Sequence, residues 1–104
     1  MVGGHARARP PRQHTLDPEA WPEQPAADLA AESVRHIARA LAGVLDERGL
    51  SLRAAADGSG VNRQAIADLL AGRCWPDVAT VARLAAFTRT DIWPPVAGDR
   101  KRTH

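Results

Sequence analysis

The hydrophobic positions of this chain recur at helical spacing, and no stretch alternates in the manner of a β-strand. The first long segment has an apolar residue every three or four positions, which predicts a helix that begins between Pro25 and Asp28 and ends at Arg48. Gly49 and Leu50 follow as a glycine stop with its hydrophobic contact. The apolar positions that define this helix are Val34, Ile37, Leu41, Val44 and Leu45.

Three further helices are predicted from residues that can cap them. Ser51, Asn62 and Asp77 each precede an amphipathic segment, where a side-chain oxygen can accept hydrogen bonds from otherwise unpaired backbone N–H groups. A short final turn is expected at residues 91–93, before two prolines stop it. In the helix after Asp77, the residues expected to face the core are Val78, Val81, Leu84 and Ala85.

Residues 51–72 have the layout of two short helices joined by a tight turn. Gly60 stands where the turn requires a positive φ angle, and Ala56 is small where the two helices must cross closely. Val61 and Ile66 can form a hydrophobic staple at the start of the second helix and so fix its entry angle. The residues predicted on its core side are Ile66, Leu69 and Leu70. Those predicted on its free side are Arg63, Gln64, Ala67 and Asp68.

This arrangement resembles the Cro/CI-type (XRE-like) helix-turn-helix DNA-binding domains of bacteria and their phages. The resemblance covers roughly residues 30–93. It rests on Gly49, Leu50, Ser51, Ala56, Gly60, Val61, Ile66, Leu69, Gly72 and Pro76. It implies an all-α fold, a compact lambda-repressor-like domain of four to five helices. In such domains the second helix of the pair is the recognition helix and enters the major groove.

The chain departs from the pattern of that family in several places, and one of them is Ala55, where a larger aliphatic residue is usual. Leu52 stands where the family often has a glutamine that braces the backbone phosphate and the recognition helix. Gly58 weakens the last turn of the same helix, since a helical glycine costs about 1 kcal/mol relative to alanine. After Phe87 the family commonly has a leucine and then a glycine, whereas this chain has Thr88 and Arg89. This departure weakens the prediction of a fifth helix.

The 104 residues fit one domain with a tail at each end. We expect residues 1–26 to form a disordered, proline-rich tail that is first basic and then acidic, because they lack apolar periodicity. Residues 27–93 are then the helix-turn-helix domain, with its central pair at 51–72, and residues 94–104 are a basic tail. A core this small should give modest stability. The aromatic residues expected to supply much of its volume are Trp75, Phe87 and Trp93.

Composition permits nucleic-acid binding without requiring it, since the formal net charge is +2. The single cysteine, Cys74, excludes an internal disulfide. No apolar run reaches the ~18 residues that a membrane span needs. The N-terminal arginines are followed by no apolar segment, so the sequence lacks the pattern of a secretory signal. We therefore expect a cytoplasmic protein without a membrane role.

The resemblance assigns DNA contacts to the exposed start of the recognition helix. Arginine can hold guanine through two hydrogen bonds and glutamine suits adenine, so Arg63 and Gln64 would read base edges. Asp68 could accept a hydrogen bond from cytosine, or pair with Arg63 or a neighbouring arginine. Phosphate contacts are assigned to Asn62 and Arg73. The complete predicted DNA-binding set is Ser51, Asn62, Arg63, Gln64, Ala67, Asp68 and Arg73.

Catalysis and metal binding have little support in the sequence. The four histidines are scattered, and neither Cys74 nor any serine has partners spaced as a catalytic triad would need. One cysteine with dispersed histidines makes no zinc pattern. We predict that the protein is no enzyme and uses no metal, cofactor or small-molecule effector. Arg7 and Arg9 flank an alanine where an AT-hook has glycine, which favours a solubilising tail over a minor-groove arm.

Two functions remain open from the sequence. The leading hypothesis is a sequence-specific transcriptional regulator, a small repressor that binds double-stranded DNA as a homodimer. The alternative is a helical protein-interaction module or antitoxin-like adaptor with weak or no DNA binding. Leu52, Asp57 and Asp68 motivate the alternative, as does a net charge of only +1 over residues 51–73, where three arginines oppose two aspartates. Ile92, Trp93 and the fourth helix are the candidate dimer surface.

Overall fold

The computed structural model describes residues 9–95, and four α-helices account for most of that part. They are α1 (Leu29–Arg48), α2 (Leu52–Ser59), α3 (Arg63–Leu70) and α4 (Val78–Thr88). Two 3-10 turns, Pro11–His14 and Pro18–Ala20, precede α1. Residues 9–95 contain no β-strand, and none of their helices is long and apolar enough to cross a membrane. The all-α, lambda-repressor-like prediction is confirmed, with four helices.

The four α-helices of residues 9–95 each begin at a capping residue, and three of these caps are the ones that the sequence predicts. Ser51, Asn62 and Asp77 each accept backbone N–H groups two or three residues further along, at distances between 2.7 and 3.3 Å. Asp28 caps α1 in the same way at 2.9 Å, so this helix starts at Leu29, directly after the predicted window. These caps satisfy N–H groups that have no partner inside the helix.

Glycines end α1 and α2 at the predicted positions. Gly49 has φ 63° and Gly60 has φ 78°, both in the left-handed region that glycine tolerates best. After Gly49, the N–H of Leu50 donates to the carbonyl of Leu45 at 2.8 Å, which completes the predicted stop. The chain therefore reverses sharply between α1 and α2 and again between α2 and α3.

The core is aliphatic and draws on α1, α3 and α4. Its largest fully buried aliphatic side chains are Leu41, Ile66, Leu69, Leu84 and Ile92. The expectation that aromatic residues fill much of the core is wrong for Trp93, which is 39% exposed, while Trp75 and Phe87 are only partly buried. Val78, predicted to face inward, is 72% exposed because it is the first residue of α4 and lies at the helix end.

Gly58 has a packing role that the sequence comparison does not indicate. It lies near the end of α2, and a Cβ atom added there would overlap the ring of Phe87 on α4. The glycine thus lets the two helices approach closely, which offsets its low helix propensity.

Residues 89–95, the described part of the chain after α4, form no helix, so the short final turn expected at residues 91–93 is absent. Arg89 ends α4 with φ 54°, and the Asp91 carboxylate accepts a hydrogen bond from the N–H of Trp93 at 3.1 Å. Ile92 is nevertheless fully buried and closes the core.

The segment before α1 packs against the helices, and its predicted disorder is wrong for residues 9–26. Pro11 and Thr15 are buried, Thr15 forms an isolated antiparallel bridge with Ala26, and the N–H of Ala27 donates to the carbonyl of His14 at 3.1 Å. Prolines exclude regular secondary structure here but do not prevent packing through single side chains. The rest of the predicted tails, residues 1–8 and 96–104, lies outside the described residues.

Candidate nucleic-acid interface

Helix α3 presents one buried face and one open face. Ile66 and Leu69 are fully buried against α1 and the other helices, whereas Arg63 and Gln64 are exposed on the first turn. Ala67 is half-buried on the same side as Gln64. This is the division that helical spacing predicts, and it leaves two polar side chains at the outward start of the helix.

The start of α3 is held by a cap and by core packing. Asn62 accepts the N–H groups of Gln64 and Ala65 through one oxygen, Oδ1. The neighbouring Val61 is 6% exposed and Ile66 is fully buried, so both ends of the predicted hydrophobic staple belong to the core. Arg63 and Gln64 consequently extend from a fixed backbone.

The Asp68 carboxylate accepts hydrogen bonds from two polar side chains on the open face. Its Oδ1 accepts from Nε2 of Gln64 at 3.0 Å and from Nε of Arg73 at 3.1 Å, and Nη2 of Arg73 lies 3.0 Å away. Of the alternatives open for Asp68, the structure has the pair with a neighbouring arginine, and that arginine is Arg73. The carboxylate is thereby compensated, which lessens its repulsion of a phosphate backbone.

The remaining polar residues of the predicted contact set keep hydrogen-bond capacity after their structural contacts are counted. Arg63 makes no side-chain hydrogen bond or ion pair within residues 9–95, so its whole guanidinium faces solvent. Asn62 uses only its oxygen as a cap, which leaves the amide N–H groups as donors. Ser51 accepts with Oγ and retains its hydroxyl hydrogen. Ala67 offers only a methyl group.

Leu52 is partly buried against the hydrophobic core, so this first residue of α2 stabilises the fold instead of bracing a phosphate. Gln64, at the exposed start of α3, donates a hydrogen bond to Asp68 of the same helix and not to a residue of α2.

Cys74 follows Arg73 in the loop and has little nucleophilic character. Partial burial raises the pKa of its thiol above the ordinary value of 9.0, and the negative charge of Asp68 adds to this. The thiol is therefore protonated at neutral pH. In the part of the chain that the structure describes, no group of three or more histidine, cysteine or acidic side chains is arranged to hold a metal ion.

Arg12 and Trp21 are contact residues of α3 that sequence reasoning missed. Both lie in the segment expected to be disordered, and both donate hydrogen bonds to carbonyls at the end of α3. The available signal was Trp21 itself, because a large apolar side chain in a polar, proline-rich stretch needs a surface to cover it.

Two short helices joined by a tight turn, the second exposing polar residues at its start, define a helix-turn-helix DNA-binding protein. Comparison with protein families supports this class, because the helix-turn-helix family model matches residues 41–92, or 52 of the 104 residues. This chain belongs to the helix-turn-helix family of the Cro/CI (XRE-like) type. No match was found among curated proteins or among solved structures.

Proposed function

We propose that this protein is a sequence-specific transcriptional regulator, a small repressor, that inserts α3 into the major groove of double-stranded DNA. The observation that carries the proposal is the exposed pair Arg63 and Gln64 on the first turn of a helix whose opposite face is buried. The major groove admits an α-helix and displays a distinct set of donors and acceptors for each base pair. Side chains at the start of the helix are the ones that reach the base edges.

Arg63 and Gln64 differ in how they are prepared for this role. Arg63 has a guanidinium without a partner among residues 9–95, and it suits O6 and N7 of guanine. Gln64 gives one amide N–H to Asp68, which leaves its second N–H and its carbonyl for N7 and N6 of adenine. In this account Asp68 orients Gln64 and does not itself contact a base. Ala67 would contact a thymine methyl group.

Phosphate contacts complete the proposed interface and set the register of α3. Ser51, Asn62 and Arg73 each retain donors around the turn, and hydrogen bonds to phosphates position a protein on the duplex without reading sequence. Recognition of this kind needs no metal or cofactor. In the bacterial setting of this proposal, the cellular DNA that the protein would bind lies in the cytoplasm.

Homodimerisation belongs to the same proposal. Val78 and Trp93, two exposed apolar side chains, line a shallow groove between α1 and α4 together with the partly buried Trp75. A second copy that covers this face would remove apolar area from water. Sedimentation velocity of the full chain should show a dimer, and Trp93→Ala should shift it toward monomer. A dimer unchanged by this substitution would remove Trp93 from the surface.

The alternative of a protein-interaction module predicts a different response to salt. A DNA binder loses affinity as salt rises, with a slope of about −0.9 for each phosphate contact on a logarithmic plot. Titrating the full chain with a mixed-sequence duplex between low and moderate salt measures that slope. A steep negative slope supports DNA binding. Negligible DNA affinity, together with a protein partner retained after nuclease treatment, would favour the adaptor.

A further inference from the structure

We propose that Arg12 and Trp21 are positioning residues for DNA recognition, because they hold the C-terminal end of α3 from a segment that lies outside the family-matched residues. We call residues 9–27 the brace segment. The inference rests on the proposed function and extends its structural basis. The recognition unit would then comprise the helix-turn-helix and the brace segment, and not residues 41–92 alone.

Three successive carbonyl groups at the end of α3 receive hydrogen bonds from the brace segment. The carbonyl of Leu70 accepts from Nε1 of Trp21 at 3.0 Å, and that of Ala71 accepts from Nη1 of Arg12 at 3.2 Å. The carbonyl of Gly72 accepts from the backbone N–H of Arg12 at 3.0 Å. A helix leaves its last carbonyls without internal partners, and a cation favours the negative end of the helix dipole. The brace segment supplies the hydrogen-bond donors for these carbonyls and, through Arg12, the cation.

The ring of Trp21 also packs directly on the turn that follows α3. A Cβ atom at Gly72 would lie 2.5 Å from Cε2 of Trp21, so only glycine permits this approach. Gly72 has φ 71°, which is a second reason for glycine at this position. The exit from α3 is therefore shaped to receive the indole.

The brace segment is itself held in place by hydrogen bonds, so it can fix the position of α3 relative to α1. Nη2 of Arg12 donates to the carbonyl of Pro18 at 2.7 Å, which ties the arginine to its own segment. On α1, Arg35 donates to the carbonyl of Pro22 at 3.0 Å, and Glu32 accepts the N–H of Ala26 at 2.9 Å. The segment thus links α1 to the C-terminal end of α3.

These contacts matter for recognition because α3 is only eight residues long. The side chains that would contact bases, Arg63 and Gln64, lie on its first turn, and a tilt of the helix would displace them. The cap at Asn62 fixes the start of the helix, and Arg12 with Trp21 fixes the other end. Recognition side chains must be held within about 0.5 Å of their productive geometry, so both supports are required.

Trp21→Phe tests the inference, with Thr90→Val as the control. Each substitution removes one side-chain donor to a backbone carbonyl, at 3.0 Å and 3.1 Å, but Thr90 donates to Thr88 at the end of α4 and not to α3. The readout is the ratio of affinities for a selected and a scrambled duplex, at a temperature where circular dichroism shows both variants folded. Trp21→Phe should lower this ratio roughly two- to tenfold, the value of one lost hydrogen bond, and Thr90→Val should leave it unchanged.

Amide hydrogen exchange of the full chain gives a readout that does not depend on DNA. Trp21→Phe should speed the exchange of α3 amides relative to those of α1, since α3 loses the support at its end. Arg12→Lys is a second variant in case Trp21→Phe does not fold. It keeps the charge but cannot hold two carbonyls with one planar fork, and it should act in the same direction.

Two results would overturn the inference. In the first, Trp21→Phe and Thr90→Val lower the affinity ratio equally. In the second, exchange in Trp21→Phe rises equally in α1 and α3, which would mean that only global stability has changed. A wild-type chain that selects no DNA sequence is a different failure, because it would reject the proposed function before any variant is compared.

Discussion

Gln64 and Asp68 are joined across one turn of α3 by a hydrogen bond of 3.0 Å from the glutamine amide to the aspartate Oδ1. The same oxygen accepts from Arg73, so the three side chains form one neutral cluster on the open face of the helix. Asp68, one of the two aspartates that argue against DNA binding, is therefore compensated. The hydrogen bond to Asp68 also restricts the rotation of the Gln64 side chain, and this should sharpen the preference of Gln64 for one base pair.

We expect Asp68→Ala to reduce discrimination and raise non-specific affinity. Without its acceptor, Gln64 rotates freely, so preference for the base pair it reads should fall roughly two- to tenfold. The charge of Arg73 is no longer compensated by a carboxylate, so the logarithmic salt slope for a mixed-sequence duplex should steepen by up to about 1. Fluorescence anisotropy with matched and base-substituted duplexes measures both. Asp57→Ala is the control, because it removes the same charge from α2 without touching Gln64. Equal loss of discrimination in both variants would contradict the positioning role.

Gly58→Ala should destabilise the protein although it improves helix propensity. The added methyl group gains up to about 1 kcal/mol of propensity. It must displace the Phe87 ring, and overpacking of this kind costs about 1–3 kcal/mol. Urea unfolding followed by circular dichroism measures the balance.

Gly43→Ala is the matched control for this prediction, because Gly43 lies within α1 and a Cβ atom there meets nothing within 4 Å. Its free energy of unfolding should rise by up to about 1 kcal/mol. Stabilisation of similar size in both variants would show that Phe87 does not restrict Gly58.

Gly72→Ala should cost more stability than Gly49→Ala. Both glycines have positive φ angles, and alanine in the left-handed conformation costs roughly 1–2 kcal/mol. At Gly49 the space around a Cβ atom is open, whereas at Gly72 it is occupied by Trp21. Displacing the indole should add about 1–3 kcal/mol to the loss. The comparison uses the two midpoints of chemical unfolding, and equal midpoints would contradict the close packing of Trp21 on the turn.

Protonation of Glu32 in acid should make the folded chain less stable. The hydrogen bond from Arg35 holds the pKa of this carboxyl below its ordinary value of 4.5, and the N–H of Ala26 adds to the effect. The unfolded chain therefore binds a proton more readily than the folded chain. The stabilisation is complete above pH 4.5 and is lost as the pH falls through the lowered pKa.

Glu32→Gln should remove this contribution and flatten the stability curve below pH 4.5. The change is small, because a partly exposed ion pair contributes up to about 1 kcal/mol. Chemical unfolding at several pH values between 3 and 6 measures the slope, with Glu47→Gln on the exposed face of α1 as control. If the wild-type chain and Glu32→Gln lose stability equally over this range, the assigned role of Glu32 is wrong.

The helix starts and stops could be predicted from sequence because their causes are local. Ser51, Asn62 and Asp77 act on N–H groups two or three residues away, and Gly49 and Gly60 need only their own φ angles. The two faces of α3 follow from spacing in the same way. Caps, glycine stops and helical spacing each involve only residues that lie close together in the sequence, so a short window of sequence is enough to detect them.

Features that depend on distant partners could not be predicted. Trp21 contacts Leu70 across 49 positions and Arg12 contacts Ala71 across 59, and no periodic pattern announces a contact made by one side chain. Val78 has apolar character at the correct spacing, yet its place at the end of α4 exposes it. In each case the missing information is which surface lies nearby in three dimensions.

Binding-site selection from a random duplex library, with the full chain at moderate salt, tests the central claim most directly. The account predicts one preferred motif containing a guanine read by Arg63 and an adenine read by Gln64. Arg63→Ala and Gln64→Ala should each relax one position, at a cost of about 1–3 kcal/mol, with folding unchanged. A library that returns no motif, or a motif that survives both substitutions intact, would contradict the assignment of α3 as the reading helix.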